Sequence, residues 1–182
     1  MSPMVSRPLT IEYALLGFLL PGPLHGYQIY QQLCDHSGLR QVWYLKQAQL
    51  YALLAKLEEA GYISGTIQRQ ESRPARRVFQ LTASGKEMFQ NWSSSAVLHP
   101  RQMRQEFQTK LYFAQIQGSE VCNRLVVAQR QACQQWLEFH KNSEAMKGSR
   151  NTFIWLVNQY RLGQIQAMLD WLDLCQPLSQ KE

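Results

Sequence analysis

A mostly α-helical chain with one small β-hairpin is the fold class this sequence predicts, and three observations predict it. Apolar residues recur at three- and four-residue steps through most of the first 60 positions; residues 62–81 alternate instead; and beyond residue 95 helical spacing returns with no strand between. The chain has 182 residues, 45% of them hydrophobic, which suits a small domain carrying a helical appendage. The change of character after Ser93-Ser94-Ser95 divides it into residues 1–95 and 96–182.

Residues 1–9 carry two prolines and read as a loose arm. Thr10 is an N-cap candidate for an apolar helix, Ile11–Leu20, that stops at Pro21-Gly22-Pro23. His25-Gly26 continues that turn. A short second helix, Tyr27–Cys34, follows, with Ile29, Tyr30 and Leu33 on one face, and His36-Ser37-Gly38 breaks it. A third helix, Gln47–Ala60, places Leu50, Leu53, Leu54 and Leu57 toward a core. Its opposite face carries Lys46, Gln47, Gln49, Ala52 and Lys56. Gly61 stands where a helix ends in a left-handed residue. Tyr62–Arg69 and Arg77–Leu81 read as two strands, with Ile63, Ile67 and Val78 on apolar positions. The polar, Pro74-containing segment 70–76 is their loop. Thr82 then caps a fourth helix that reaches Trp92.

In the second half, Pro100–Ile116, Glu120–Lys141 and Thr152–Leu174 read as three helices. Cys122, Leu125, Gln129, Ala132, Trp136 and Phe139 alternate by threes and fours, the spacing of a helix–helix seam. The last helix carries large apolar residues on more than one face, from Phe153 to Leu172, more than one small chain can bury alone. A homodimer held by these C-terminal helices is the expectation.

Charge points to a partner. The net charge is +6, and residues 40–86 alone carry eight basic side chains against Glu58, Glu59 and Glu71. A cationic excess concentrated in one short stretch suits a polyanion, although a solvated basic face would look the same. Three helices, a hairpin and a helix, in that order, make a winged helix-turn-helix, whose third helix can enter the DNA major groove. Gln47 and Gln49 can pair with base edges there. Tyr27, Lys46, Tyr51 and Lys56 suit phosphates, and Arg69, Arg73, Arg76 and Arg77 supply the cations a wing needs against the flanking backbone or minor groove.

Three stretches resemble the PadR-like family of transcription regulators. They are Leu15-Leu16-Gly17-Phe18-Leu19 with Leu24-His25-Gly26-Tyr27-Gln28-Ile29; Gln49 through Ile63, with its Leu57-Glu58-Glu59-Ala60-Gly61 ending; and Arg77-Val78-Phe79-Gln80-Leu81-Thr82-Ala83-Ser84-Gly85-Lys86. Together they cover roughly residues 9–92. Lys46-Gln47-Ala48-Gln49 departs from the small, serine-containing turn usual there, so no operator sequence carries over. The resemblance implies a dimeric repressor on an inverted-repeat operator, with the longer C-terminal half as a dimerisation and sensing region. Some members of the family answer to small aromatic or drug-like molecules. Trp136 and Trp155, with Trp171, can line a cavity for such an effector or simply form ordinary helix–helix core.

Other classes stay open. A winged helix can bind a protein and no DNA, and the drug-responsive MarR-like regulators also carry one, though with dimer helices on both sides of it. An enzyme is not expected: there is no Gly-rich phosphate loop, no Gly-x-Ser-x-Gly turn, and no polar catalytic cluster in residues 100–175. His25, His36, His99 and His140 form no metal-binding pair, and Cys34, Cys122, Cys133 and Cys175 no CxxC, so neither metal nor cofactor is expected. The cysteines fit core packing. With no signal-peptide pattern and no apolar run near the ~20 residues of a membrane span, the expected location is the cytoplasm.

Overall fold

The computed structural model describes residues 10–36, 38–70, 73–143, 150 and 152–175, with the backbone only of residues 69, 70 and 73–75. The chain divides into two compact units, Met1–Ser93 and Ser94–Glu182.

The first unit is a winged helix. It runs α1 (Thr10–Phe18), a two-residue strand β1 (Leu24–His25), α2 (Gly26–Cys34), a 3-10 turn (Leu39–Gln41), α3 (Gln47–Glu59), β2 (Ile63–Gln70), β3 (Arg73–Leu81) and α4 (Ala83–Ser93). The leucine spacing of α3 places Leu50, Leu54 and Leu57 in the core, while Leu53 is half-buried. They join Leu15, Leu16 and Leu19 near α1, Ile29 and Leu33 of α2, and Phe89 of α4. The Tyr13 ring stacks on Trp92 at 4.7 Å between centroids, which ties α1 to α4. Gly61 ends α3 with φ +76°. Thr82 starts α4: its Oγ1 accepts the Gly85 N–H at 3.0 Å.

The wing differs from the sequence expectation. β3 begins at Arg73, so most of the supposed loop is strand, and only residues 71–72, outside the described part, separate β2 from β3. The ladder pairs Gln70 with Arg73 and Gln68 with Arg76, and the register shifts between them. Pro74 lies in that irregularity, where a strand tolerates a residue without an N–H; sequence reasoning took it for a turn. The core face also differs. Ile63 pairs with Leu81, and Ile63 and Phe79 are buried. Val78 points to the other side, and Ile67, further out along the wing, is exposed. β1 had no signal in the sequence. It pairs antiparallel with β3, Leu24 to Phe79 and His25 to Val78, to give a three-stranded sheet in the order β1-β3-β2.

The second unit has a 3-10 turn (Pro100–Arg104) followed by α5 (Glu106–Gln117), α6 (Ser119–Lys141) and α7 (Phe153–Cys175). α6 and α7 form an antiparallel pair: Arg130 makes an ion pair with Asp173, and His140 bonds to Asn158. Phe107, Leu111, Leu125, Val126, Ile165, Leu169 and Leu172 fill their core. The α6 seam holds through Cys122, Leu125 and Gln129 and then shifts by one residue: Cys133 is buried where Ala132 was expected, and Phe139 is 72% exposed. Among the described residues no helix is long and apolar enough to cross a membrane. No cluster of His, Cys, Asp and Glu there could hold a metal ion.

Cys122, Cys133 and Cys175 sit in this core. Burial pushes all three thiols up, Cys175 to about 11. Native protein at pH 8 should therefore react rapidly with a disulfide reagent at one thiol, the half-buried Cys34, and at the other three only after denaturation. Titration with Ellman's reagent reads this directly, and two or more fast thiols would contradict it. Because the folded value of Cys175 lies above its ordinary 9.0, the stability it contributes is whole below pH 9 and is lost as pH rises toward about 11.

Candidate nucleic-acid interface

The start of α3 is exposed from Lys46 through Gln49. The Lys46 N–H donates to the Gln49 Oε1 at 2.9 Å, so Gln49 closes the first turn of its own helix. A bidentate pairing with adenine needs both the oxygen and the NH2 group of an amide. Gln49 therefore has one of the two lone pairs of its Oε1 held in a structural bond, whereas Gln47 and Ala48 are exposed beside it.

Lys56, expected to face phosphates, is half exposed but is engaged in an ion pair. Its Nζ lies 2.7 Å from Oε1 of Glu12, a carboxylate of α1 that is only 1% exposed. A buried carboxylate without a counter-charge costs several kcal/mol, so this ammonium is committed to holding α3 on α1. Arg77 is likewise engaged. Its Nη2 lies 2.7 Å from Oε2 of Glu58, whose Oε1 also accepts the Gly65 N–H at 3.0 Å. Of the wing cations, Arg76 is exposed, while the side chains of Arg69 and Arg73 lie outside the described part.

Four of the expected residues meet. Tyr27, Tyr51, Arg76 and Arg77 line one cavity of about 300 Å³, together with His25 and Gly26. The Tyr51 ring fills the space over Gly26: a Cβ there would lie 2.5 Å from Tyr51 Cε1. His25 is the residue sequence reasoning missed, having read it as part of a turn. It is the N-cap of α2. Its Nδ1 accepts the Gln28 N–H at 3.2 Å, and its own N–H donates to Gln28 Oε1 at 3.0 Å. An Nδ1 that accepts leaves the proton of the neutral ring on Nε2, by inference from the hydrogen-bond network. Arg76 Nη1 lies 3.5 Å from that Nε2. A guanidinium only donates, so two donors face one another with no acceptor between them. The arrangement can receive an anionic oxygen, with the Tyr27 and Tyr51 hydroxyls at hand. The signal for the cap was in the sequence, since His25-x-x-Gln28, Lys46-x-x-Gln49 and His99-x-x-Gln102 each put a Gln three residues into a helix start.

Trp136 and Trp155 are half-buried, Trp136 packed against the core of its unit. Neither lines the two cavities described in that unit, one of which is lined by Trp171 instead.

Comparison with known proteins bears on both units. Residues 15–91 match the transcriptional regulator PadR-like family, and residues 103–178 match the family described as virulence activator alpha, C-terminal. The negative transcriptional regulator PadR of Bacillus subtilis (strain 168) is 33% identical over 103 residues, 57% of this chain and 56% of that protein. The matched stretch thus spans about half of the relative's length. A crystal structure of Bacillus subtilis PadR in complex with operator DNA is similar at 25% identity, covering 93% of this chain and 99% of that one with a TM-score of 0.47. A second, in complex with p-coumaric acid, covers 95% and 97% at 25% identity with a TM-score of 0.41. The first unit of this chain, built as a winged helix and matched over residues 15–91, is thus a domain of the transcriptional regulator PadR-like family.

Proposed function

We propose that this protein is a sequence-specific transcriptional regulator: a cytoplasmic homodimer that binds an inverted repeat in duplex DNA, represses from it, and is released by a small molecule bound in its helical half. The observation that carries the reading is the cavity where His25, Tyr27, Tyr51, Arg76 and Arg77 converge beside α3. Its groups are donors and cations with no carboxylate among them, which suits a phosphate of the DNA backbone. The exposed Gln47 and Ala48, one turn before Tyr51, are then the residues placed for base edges. Repression follows the relative, which is named a negative regulator. The chain carries out no chemistry of its own in this reading.

Dimerisation is supported by the apolar face α7 leaves open. Phe153, Ile154, Leu156 and Tyr160 are each more than half exposed. Such surface costs about 25 cal/mol per Å² in water, and a second copy of α7 presents the matching surface.

The test is a titration of full-length protein against the promoter regions of its own gene and its neighbours, followed by footprinting. A protected inverted repeat and binding that weakens steeply with salt are expected. Sedimentation at micromolar concentration should give a dimer. A monomer there, or no salt-dependent affinity for any duplex, would sink the reading and leave the winged helix as a protein-binding module.

A further inference from the structure

The second unit holds a cavity that the reading above leaves without an occupant. It measures about 330 Å³ and is lined by His99, Arg101, His140, Arg161 and Gln164 over a floor at Ile165. No carboxylate is among the lining residues. Among the described residues, neither Arg101 nor Arg161 takes part in an ion pair.

His140 is held in one orientation. Asn158 of α7 is buried at 4% exposure, and its Nδ2 donates to the His140 carbonyl oxygen at 3.1 Å. The Asn158 Oδ1 therefore faces His140 Nδ1, at 2.9 Å. An amide oxygen only accepts, so Nδ1 carries a ring proton. An amide buried in a helix–helix seam must have partners or it destabilises the fold. Both of these bonds go to one residue, as they do where an outer partner fixes a ligand-binding imidazole.

An adjacent cavity of about 610 Å³ shares Arg101 and Gln164 with the first and adds Met103, Met168 and Trp171. Two permanently charged guanidiniums and an oriented imidazole thus stand next to an apolar, aromatic wall. A singly charged ligand would leave one guanidinium uncompensated. A doubly charged head matches both, and guanidinium forks suit phosphate and carboxylate oxygens alike.

We propose that this cavity binds a small organic dianion, a phosphate monoester or a dicarboxylate, through Arg101 and Arg161, with its apolar body against Trp171. The inference rests on the reading of this unit as the sensing half, and it is tested by direct binding without DNA, so that failure of either can be told from failure of the other. Calorimetry on the full-length protein compares phenyl phosphate, phthalate, benzoate and benzamide. At least one of the two dianions should bind 10-fold or more tightly than benzoate, and which one does identifies the head group; benzamide should bind weakest. Arg161→Gln, at an exposed position that does not endanger the fold, should remove that advantage and leave benzamide unchanged, and Arg101→Gln, also at an exposed position, should weaken the dianion in the same direction. Benzoate binding as tightly as both dianions, or undiminished dianion affinity in Arg161→Gln, overturns the assignment, as does a lack of binding by either dianion at millimolar concentration.

Discussion

Gly85→Ala should destabilise the first unit by about 3 kcal/mol or more, the upper end of what overpacking a fixed site costs. Gly85 lies in the first turn of α4, where a Cβ would come 2.0 Å from the carbonyl oxygen of Tyr62 and 2.9 Å from its carbon. These are backbone atoms and cannot swing aside like the end of a side chain. The same carbonyl accepts the Thr82 N–H at 3.1 Å and the Thr82 hydroxyl at 3.0 Å. Relieving the clash therefore means lifting the start of α4 off β2 and losing the cap with it. For a domain of this size, a change near 3 kcal/mol lowers the melting temperature by roughly 10 °C or more. Thermal unfolding followed through the stacked Tyr13–Trp92 pair in the first unit reads that transition. A loss below about 1 kcal/mol, inside the range of an ordinary surface substitution, would mean that α4 does not rest on Tyr62 as described.

What the sequence made legible, and what it hid, follow from the range of the forces involved. The helices were visible because their periodicity is local: Leu50, Leu54 and Leu57 announce the buried face of α3 whatever lies across from them. Thr82 and Gly61 were equally plain, since caps and left-handed helix ends are decided within a few residues. β1 was invisible, because Leu24 and His25 are a strand only through their pairing with Phe79 and Val78, more than fifty residues on. The start of β3 was misplaced because Pro74 signals a turn locally, and only the register of the ladder shows it sitting in an irregularity.

The site shows the same division. Residue types suited to DNA were readable from their chemistry, but their commitments were not. Lys56 is spoken for by Glu12, and Arg77 by Glu58, at separations of 44 and 19 positions. His25 and Gln49 are the reverse case, in which local capping chemistry was present in the sequence and was outweighed by more familiar roles, a turn residue and a base reader.

These commitments divide the labour on DNA in a measurable way. Arg76→Ala should weaken binding to operator and to random duplex by similar factors and reduce the slope of log affinity against log salt by about one, because a lost phosphate contact forgoes the release of one counterion. Arg77→Ala should lower the slope less, since Glu58 already offsets part of its charge before any DNA arrives. Gln47→Ala should leave the slope unchanged and relax preference at one base pair, where a good pairing discriminates by about 1–3 kcal/mol. Gln49→Ala should instead cost a few tenths to about 1 kcal/mol of folding stability, the range for losing a helix-start bond, with a smaller effect on sequence preference than Gln47→Ala. Titrations at four salt concentrations on the operator and on a scrambled duplex separate the variants, with urea unfolding run alongside. Should Gln47→Ala flatten the salt slope as Arg76→Ala does while sequence preference survives, α3 contacts only the backbone, and base reading must be sought at Ala48 or along the wing. Should Arg77→Ala match Arg76→Ala in slope, the Arg77–Glu58 pair opens on binding, and Glu58→Gln should then strengthen affinity for both duplexes.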